Sequence, residues 1–293
     1  MALPKWMTDP DPSIYLSNNY VVLDFETSNI DKGDPRNPNN RIVMSCFKLG
    51  EAHPDYDSSA KVIWGNEFRQ DRLLDAIDKA DFLIAHNTKF ELQWLTRCGL
   101  KLHRVLPYDT LLGKYVEDGN RIRPRDLNSV AAHFNLGAKV SSVEHLIKGG
   151  LCPSEIPRSL LQMYCVQDVA LTEAIFFKQR DRLHEQKLLP VAFTRNIFTP
   201  VLADVEMNGM QLDKELVQDY YTEYTRVHAG ILQELSEFSE GINWKSPNQV
   251  AAYVYGELGF SELTQDGKPI RNKPNKAFQE GLPNHDRGTL LDR

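Results

Sequence analysis

The chain has 293 residues, 41% hydrophobic and 10% aromatic, enough apolar side chain for one large globular core or two ordinary ones. Lys and Arg number 34 against 40 Asp and Glu, and the formal net charge of −6 excludes a protein that holds nucleic acid by bulk positive charge, so any such site is local. The cysteines, Cys46, Cys98, Cys152 and Cys165, form no CxxC pair and no zinc spacing; with no basic-then-apolar leader and no long uninterrupted apolar run, the sequence reads as cytoplasmic, with reduced thiols, no export signal and no membrane span.

Residues 1–18 are rich in Pro, Asp and Ser and are expected to be an irregular lead-in. Tyr20 to Leu23 form an apolar run that leads into Asp24-Phe25-Glu26-Thr27, a buried-strand pattern. Side chains two apart on a strand share a face, so Asp24 and Glu26 point to the same place, where a divalent cation is the usual counter-charge. Taken alone, the pair reads equally as a solvated end of a strand. Ser28 to Asn40 is a turn-rich loop, and Ile42 to Leu49 and Lys61 to Trp64 are two further strands, expected to complete an antiparallel meander. Apolar residues at helical spacing mark Phe68 to Ala80 as a helix. Asp81 to Asn87 reads as a short buried strand and Phe90 to Leu95 as the helix after it, an order that predicts an α/β sheet covered on both faces.

Asp109 is placed as the N-cap of the helix that follows it, with support of a metal site as the other reading. Arg121, Arg123 and Arg125 flank Pro124 in a basic loop, read as an exposed charge cluster or as a contact to phosphate. Asp126 to Phe134 and Leu160 to Lys178 continue as helices. From residue 189 the chain turns mainly helical. A long amphipathic helix starts at Leu212-Asp213, with Val217, Tyr220, Tyr224, Val227, Ile231, Leu235 and Phe238 along one stripe. Ser246-Pro247-Asn248-Gln249 has the pattern of a capping box, and Gly259 suits a helix stop. Residues 263–293, rich in Gly, Pro and Lys, read as an irregular tail.

Two more pieces join the acidic strand. In His86-Asn87-Thr88-Lys89-Phe90-Glu91 a polar pair ends a strand and Glu91 falls in the first turn of a helix, where the helix dipole favours a carboxylate. Tyr164 and Asp168 are four apart on a helix and share a face. In this order the chain resembles the 3′-to-5′ exonuclease domains of the DEDD superfamily, of RNase H-like fold, whose motifs are Asp-x-Glu (here Asp24 and Glu26), Asn-x-x-x-Asp (here Asn87 and Glu91) and a final Asp preceded by Tyr or His (here Asp168). Tyr164, four before Asp168, fits the tyrosine subclass, which includes the proofreading domains of family A DNA polymerases; the histidine subclass has its His where this chain has Met163. Residues 199–213 look like that family's segment between exonuclease and polymerase, and residues 242–250 like the start of its DNA-gripping thumb. No palm or fingers motif follows. The resemblance covers about residues 18–262 and divides the chain into a lead-in (1–18), an exonuclease domain (19–188), a helical linker with partial thumb (189–262) and a tail (263–293).

The resemblance implies two divalent ions, Mg2+ or Mn2+, with Asp24, Glu26 and Asp168 on one, Asp24 bridging, and Glu91 on the second through water. It implies that Tyr164 orients the attacking water, that Thr27, His86, Asn87 and Phe90 contact the terminal nucleotide, and that Ile30 is a wedge against the last base. Glu91 departs from the family's Asp by one methylene, which puts the second ion or its activity in question. The expected activity is proofreading hydrolysis of single-stranded or frayed DNA 3′ ends, as part of a split or truncated polymerase whose palm and fingers lie on a separate chain. An RNase D-like RNA exonuclease and a non-catalytic module that positions a polymerase are the competing readings.

Overall fold

The computed structural model describes residues 5–65, 70–119, 121, 123–137, 141–239 and 241–261. They divide into two compact units that meet at Gly209 and Met210.

The first unit is built on a five-stranded mixed sheet, β1 (Tyr20–Thr27), β2 (Ile42–Leu49), β3 (Lys61–Trp64), β4 (Phe82–Ala85) and β5 (Pro107–Asp109), in the order β3-β2-β1-β4-β5. The first three strands form the expected antiparallel meander, while β1, β4 and β5 run parallel. Helix α1 (Lys5–Thr8) precedes the sheet, α2 (Asp71–Lys79) and α3 (Thr88–Arg97) flank β4, and α4 (Thr110–Asp118), α5 (Leu127–His133), α6 (Ser141–Lys148), α7 (Arg158–Glu185) and α8 (Leu189–Asn208) follow β5. Phe68 of the expected α2 range lies outside the described residues, and no sequence expectation covers α6.

Strand alternation in β1 divides the core. Tyr20 and Val22 face a cluster containing Met44, Cys46, Phe82, Ile84, Tyr108 and the α7 residues Tyr164, Cys165, Val169 and Phe176. Val21, Leu23 and Phe25 face the opposite cluster, with Leu73 and Ile77 of α2 and Leu92, Trp94 and Leu95 of α3. The same two-residue period carries Asp24 and Glu26 onto the α7 side. The sheet packs between helices on both faces, the α/β arrangement expected from the element order.

Three expectations are corrected here. Residues 5–18 are not an irregular lead-in: α1 and the 3-10 turn Pro12–Leu16 are formed, and Tyr15 is fully buried, its hydroxyl donating to Pro107 O at 2.7 Å and its ring edge-on to Phe82 and Tyr108. Burial of one aromatic with its polar tip satisfied outweighs the turn-rich composition around it. Second, the compact unit runs past residue 188, because α8 packs on α3, α4 and β5 and buries Ala192, Phe193, Asn196, Thr199 and Ala203. The Asn196 amide secures this contact by accepting from Asp109 N at 2.7 Å and donating to Ala192 O at 2.8 Å. Third, the basic loop is not a plain solvated cluster: Arg125 Nε lies 3.9 Å from Asp118 Oδ2 with its guanidinium over the Tyr115 ring, and Arg123 is 4.0 Å from Asp118. Asp118 is buried and already pairs with Lys114 at 2.8 Å, so the arginines close over an acidic group that burial makes costly to leave bare.

Helix α7 crosses the sheet against β1, β2 and β4. Composition alone would let it span a bilayer, yet 56% of that stretch is buried within the protein. Gly113 lets α4 come close: a Cβ there would meet Gln179 Oε1 at 2.4 Å, and Gln179 instead donates to Thr110 O at 2.8 Å.

The second unit contains α9 (Lys214–Phe238), capped by Asp213 as expected, and α10 (Pro247–Ala251), which runs into the π-helical turn Ala252–Glu257. Tyr253 is its buried centre, edge-on to Trp244 and donating to Phe238 O at 3.2 Å. The expected capping box does not form: Ser246 makes no side-chain cap bond, and Gln249 Oε1 accepts from Asn243 N at 2.7 Å. The 243–246 turn folds back and takes the acceptor that the box needed. The expected tail at 263–293 lies outside the described residues.

Candidate active site

The parallel strands β1, β4 and β5 point their C-terminal ends the same way, and the strand order reverses at β1, which is where open α/β sheets form their crevices. Asp24 and Glu26 stand near the end of β1, His86 and Asn87 follow β4, and Asp109 ends β5. Neighbouring strand ends thus carry Asp24, Glu26, His86, Asn87 and Asp109 at one edge of the sheet.

The turn after β4 is set by Asn87, which adopts the left-handed conformation at φ 68° and ψ 49° that Asn tolerates better than most residues. That turn aims two backbone amides at the buried Asp109 carboxylate: Asn87 N donates to Oδ1 at 2.9 Å and Thr88 N to Oδ2 at 3.0 Å. Leu111 N donates to Oδ1 at 2.9 Å, so Asp109 caps α4 and braces the start of α3 together. Asp109 is thus the cap that the sequence suggests, and it also braces the start of the helix that carries Glu91. Burial pushes its carboxyl up to about 6, against the opposing pull of these amide donors.

Glu91, in the first turn of α3, is 3% exposed. Its carboxyl is raised well above the usual range, by burial first and then by the charge of Asp24, Asp109 and Glu26. Its Oε2 is buried with no hydrogen-bond partner. On α7, Tyr164 and Asp168 are both buried on the face turned to β1. The Tyr164 phenol is pushed up by burial, then by Asp168, Glu26 and Asp24, so it stays protonated and can donate. Glu91 is thus within electrostatic reach of Asp24 and Glu26, and Tyr164 within reach of Asp168, Glu26 and Asp24.

Among the described residues, the ligand atoms that lie within 4.8 Å of one another belong to Asp24, Glu26 and Cys165; Glu91 and Asp168 stand outside that trio. The Cys165 thiol donates to Asp24 Oδ2 at 3.1 Å, and burial pushes its pKa up. The sequence reading passed over Cys165, although its place between Tyr164 and Asp168 on the helix was a visible signal. Several carboxylates gathered in a half-buried crevice, one with an unsatisfied buried oxygen, fit a divalent cation with oxygen ligands.

The residues expected to contact the nucleotide lie on β1, the loop after it, the turn after β4 and the start of α3. Ile30 is 46% exposed, followed by three residues with positive φ, Asp31, Lys32 and Gly33. A Cβ on Gly33 would meet Thr27 Oγ1 at 2.7 Å, so only glycine allows this turn to close on β1. Asn40, nearly fully buried, donates to Ile30 O at 2.6 Å and Asp34 O at 2.9 Å and holds the loop from inside. Thr27 is buried, His86 is held against Thr110 Oγ1 at 2.8 Å, Asn87 is exposed, and Phe90 is half-buried with its ring edge-on to Trp94. Asn87 and Phe90 line a basin with Lys32, Arg36 and Lys89.

No family model matches the chain. The fold, a mixed α/β sheet between helices, is similar to that of a solved DNA polymerase I structure, and part of the chain is similar in sequence to a curated DNA polymerase I. A curated DNA polymerase I of Chloroflexus aurantiacus is 25% identical over 183 residues, 60% of this chain and 19% of that polymerase. Among solved structures, the POL domain of Pol1 from M. smegmatis, in complex with DNA primer-template and dNTP, matches with a TM-score of 0.59 at 15% identity over 100% of this chain and 44% of that one. Brucella melitensis NrnC bound to pGG matches at 0.49 and 17% identity, over 68% of this chain and 90% of that one. The chain spans about a fifth of the curated relative's length and less than half of the M. smegmatis structure.

Proposed function

We propose that this chain is a divalent-metal-dependent 3′-to-5′ exonuclease that removes nucleotides from single-stranded or frayed DNA ends, in a proofreading role beside a DNA polymerase. The observation that supports the reading is that Asp24 and Glu26 share a face of β1 with ligand oxygens within 4.8 Å of each other, and that the charge of both acts on Glu91 of α3 and on Tyr164 of α7. Asp24, Glu26, Glu91 and Asp168 would hold two cations, Mg2+ or Mn2+, whose charge makes water a nucleophile near neutral pH and stabilises the leaving oxygen.

The chain's own residues do the rest. The Tyr164 phenol, kept protonated, donates to the attacking water and orients it, and Glu26 takes part in that orientation. Ile30, exposed on its fastened loop, wedges against the last base, while Phe90 offers an aromatic face and His86, Asn87 and Thr27 offer polar contacts. Lys32 supplies local positive charge for the strand's phosphates, beside Arg36 and Lys89, which are paired with Asp34 and Glu206 in the same basin. Similarity to a DNA polymerase I favours DNA over RNA, and the workplace is the cytoplasm of a bacterium or of a phage-infected cell.

The test is release of label from 3′-labelled single-stranded DNA and from RNA of the same sequence, with Mg2+ or Mn2+, by wild type and Asp24→Ala. Trimming of DNA that needs metal and Asp24 supports the reading. Faster trimming of RNA moves the substrate to RNA, and no trimming by folded wild type leaves a module that positions a polymerase.

A further inference from the structure

One side chain in this crevice has no part in the exonuclease reading. Cys165 is fully buried on α7, and its Sγ lies within 4.8 Å of ligand oxygens on both Asp24 and Glu26. The contact with Asp24 Oδ2 is 3.1 Å, with the thiol as donor. Behind it stands Cys46 of β2, register partner of Asp24 across the β1–β2 ladder and also fully buried.

We propose that Cys165 is a positioning residue for the metal-binding carboxylate: its S–H holds Asp24 in the orientation that receives the cation. The proposal rests on the exonuclease reading of the same site. The choice of group follows from charge. A Lys or Arg at this distance would orient Asp24 but would also neutralise it and repel a cation, whereas a neutral thiol donates one weak hydrogen bond and leaves the carboxylate its charge. Losing a partner that orients a ligand in this way typically costs about 10–100-fold in metal affinity or activity. The second thiol, one strand away, packs in the same core cluster as the first, and its replacement tests how far packing alone affects the site.

The experiment is titration of the full chain with Mn2+, following free Mn2+ by electron paramagnetic resonance, for wild type, Cys165→Ala, Cys165→Ser and Cys46→Ala, with melting temperatures recorded alongside. Cys165→Ala is expected to weaken Mn2+ binding about tenfold. Cys165→Ser, which keeps a neutral donor, is expected to recover most of that loss, and Cys46→Ala to lower the melting temperature while leaving Mn2+ affinity near wild type. Wild-type affinity in Cys165→Ala overturns the proposal, as does equal weakening by Cys165→Ser or by Cys46→Ala, because the effect then comes from packing. A folded wild type that binds no Mn2+ overturns the exonuclease reading beneath it, an outcome distinct from the others.

Discussion

Helices α7 and α9 are nearly the same length, 28 and 25 residues, and use their side chains in opposite ways. Helix α9 has the clean apolar stripe that sequence periodicity picks out, yet none of its residues is buried in its own unit, with Tyr224 at 66% and Ile231 at 46% exposure. Helix α7 has little amphipathic pattern, because polar groups are interleaved with its apolar ones, yet it buries Tyr164, Asp168, Glu173 and Gln179 beside Val169 and Phe176. An apolar stripe in water is ordinary surface that a helix tolerates; a buried carboxylate costs free energy unless something compensates for it. The buried polar groups of α7, not the apolar stripe of α9, therefore point to the function.

The contrast makes graded predictions. Asp168→Ala should leave α7 folded and lower metal-dependent trimming by about 10³-fold, since loss of a metal ligand removes several kcal/mol of transition-state stabilisation; steady-state rates with Mn2+ check this. Phe176→Ala, in the same helix but away from the carboxylates, should cost about 3–5 kcal/mol of stability, seen as a melting temperature about 10 °C lower.

Asp109 gives a pH dependence. Its carboxyl is pushed from the ordinary 3.8 up to about 6, so between those values the folded chain holds a proton that the unfolded chain has released. Stability from this group therefore rises as pH falls through that window and is lost as pH rises through about 6, by up to about 3 kcal/mol at about 1.4 kcal/mol per unit. Urea midpoints measured between pH 7 and pH 4 should show the slope, and Asp109→Asn should flatten it.

Glu91→Gln sets stability against function. With chelator present it should raise the melting temperature by about 2–4 °C, near 1 kcal/mol, because a buried like charge is removed; with Mn2+ it should slow trimming at least about tenfold. The smallest effect belongs to α9: Tyr224→Ser should change stability by no more than about 0.5 kcal/mol. A large loss there would show that the stripe is covered after all and would break the comparison.

The sequence showed those parts whose signal is local. The two-residue period of β1 placed Asp24 and Glu26 on one face, and the four-residue step on α7 placed Tyr164 beside Asp168. What stayed hidden depends on partners far along the chain. Asp109 holds amides 21 and 22 residues away, Asn196 reaches back 87 residues to β5, and Tyr15 reaches 92 residues forward to Pro107. Local composition assigned Tyr15 to a loose lead-in and α8 to an appendage, because turn residues and apolar periodicity say nothing of which surface receives them. Cys165 was missed for a related reason: a buried thiol has the pattern of an ordinary core residue until Asp24 is found 3.1 Å away.

The central claim is that the carboxylates around β1 and α7 hydrolyse DNA from its 3′ end. The most direct measurement follows a 5′-labelled single-stranded DNA over time with Mn2+ and resolves the products by length. A ladder shortening one nucleotide at a time, absent with chelator and absent with Asp24→Ala, is the predicted result; internal cuts, or a strand left whole by folded wild type that has bound Mn2+, would contradict it.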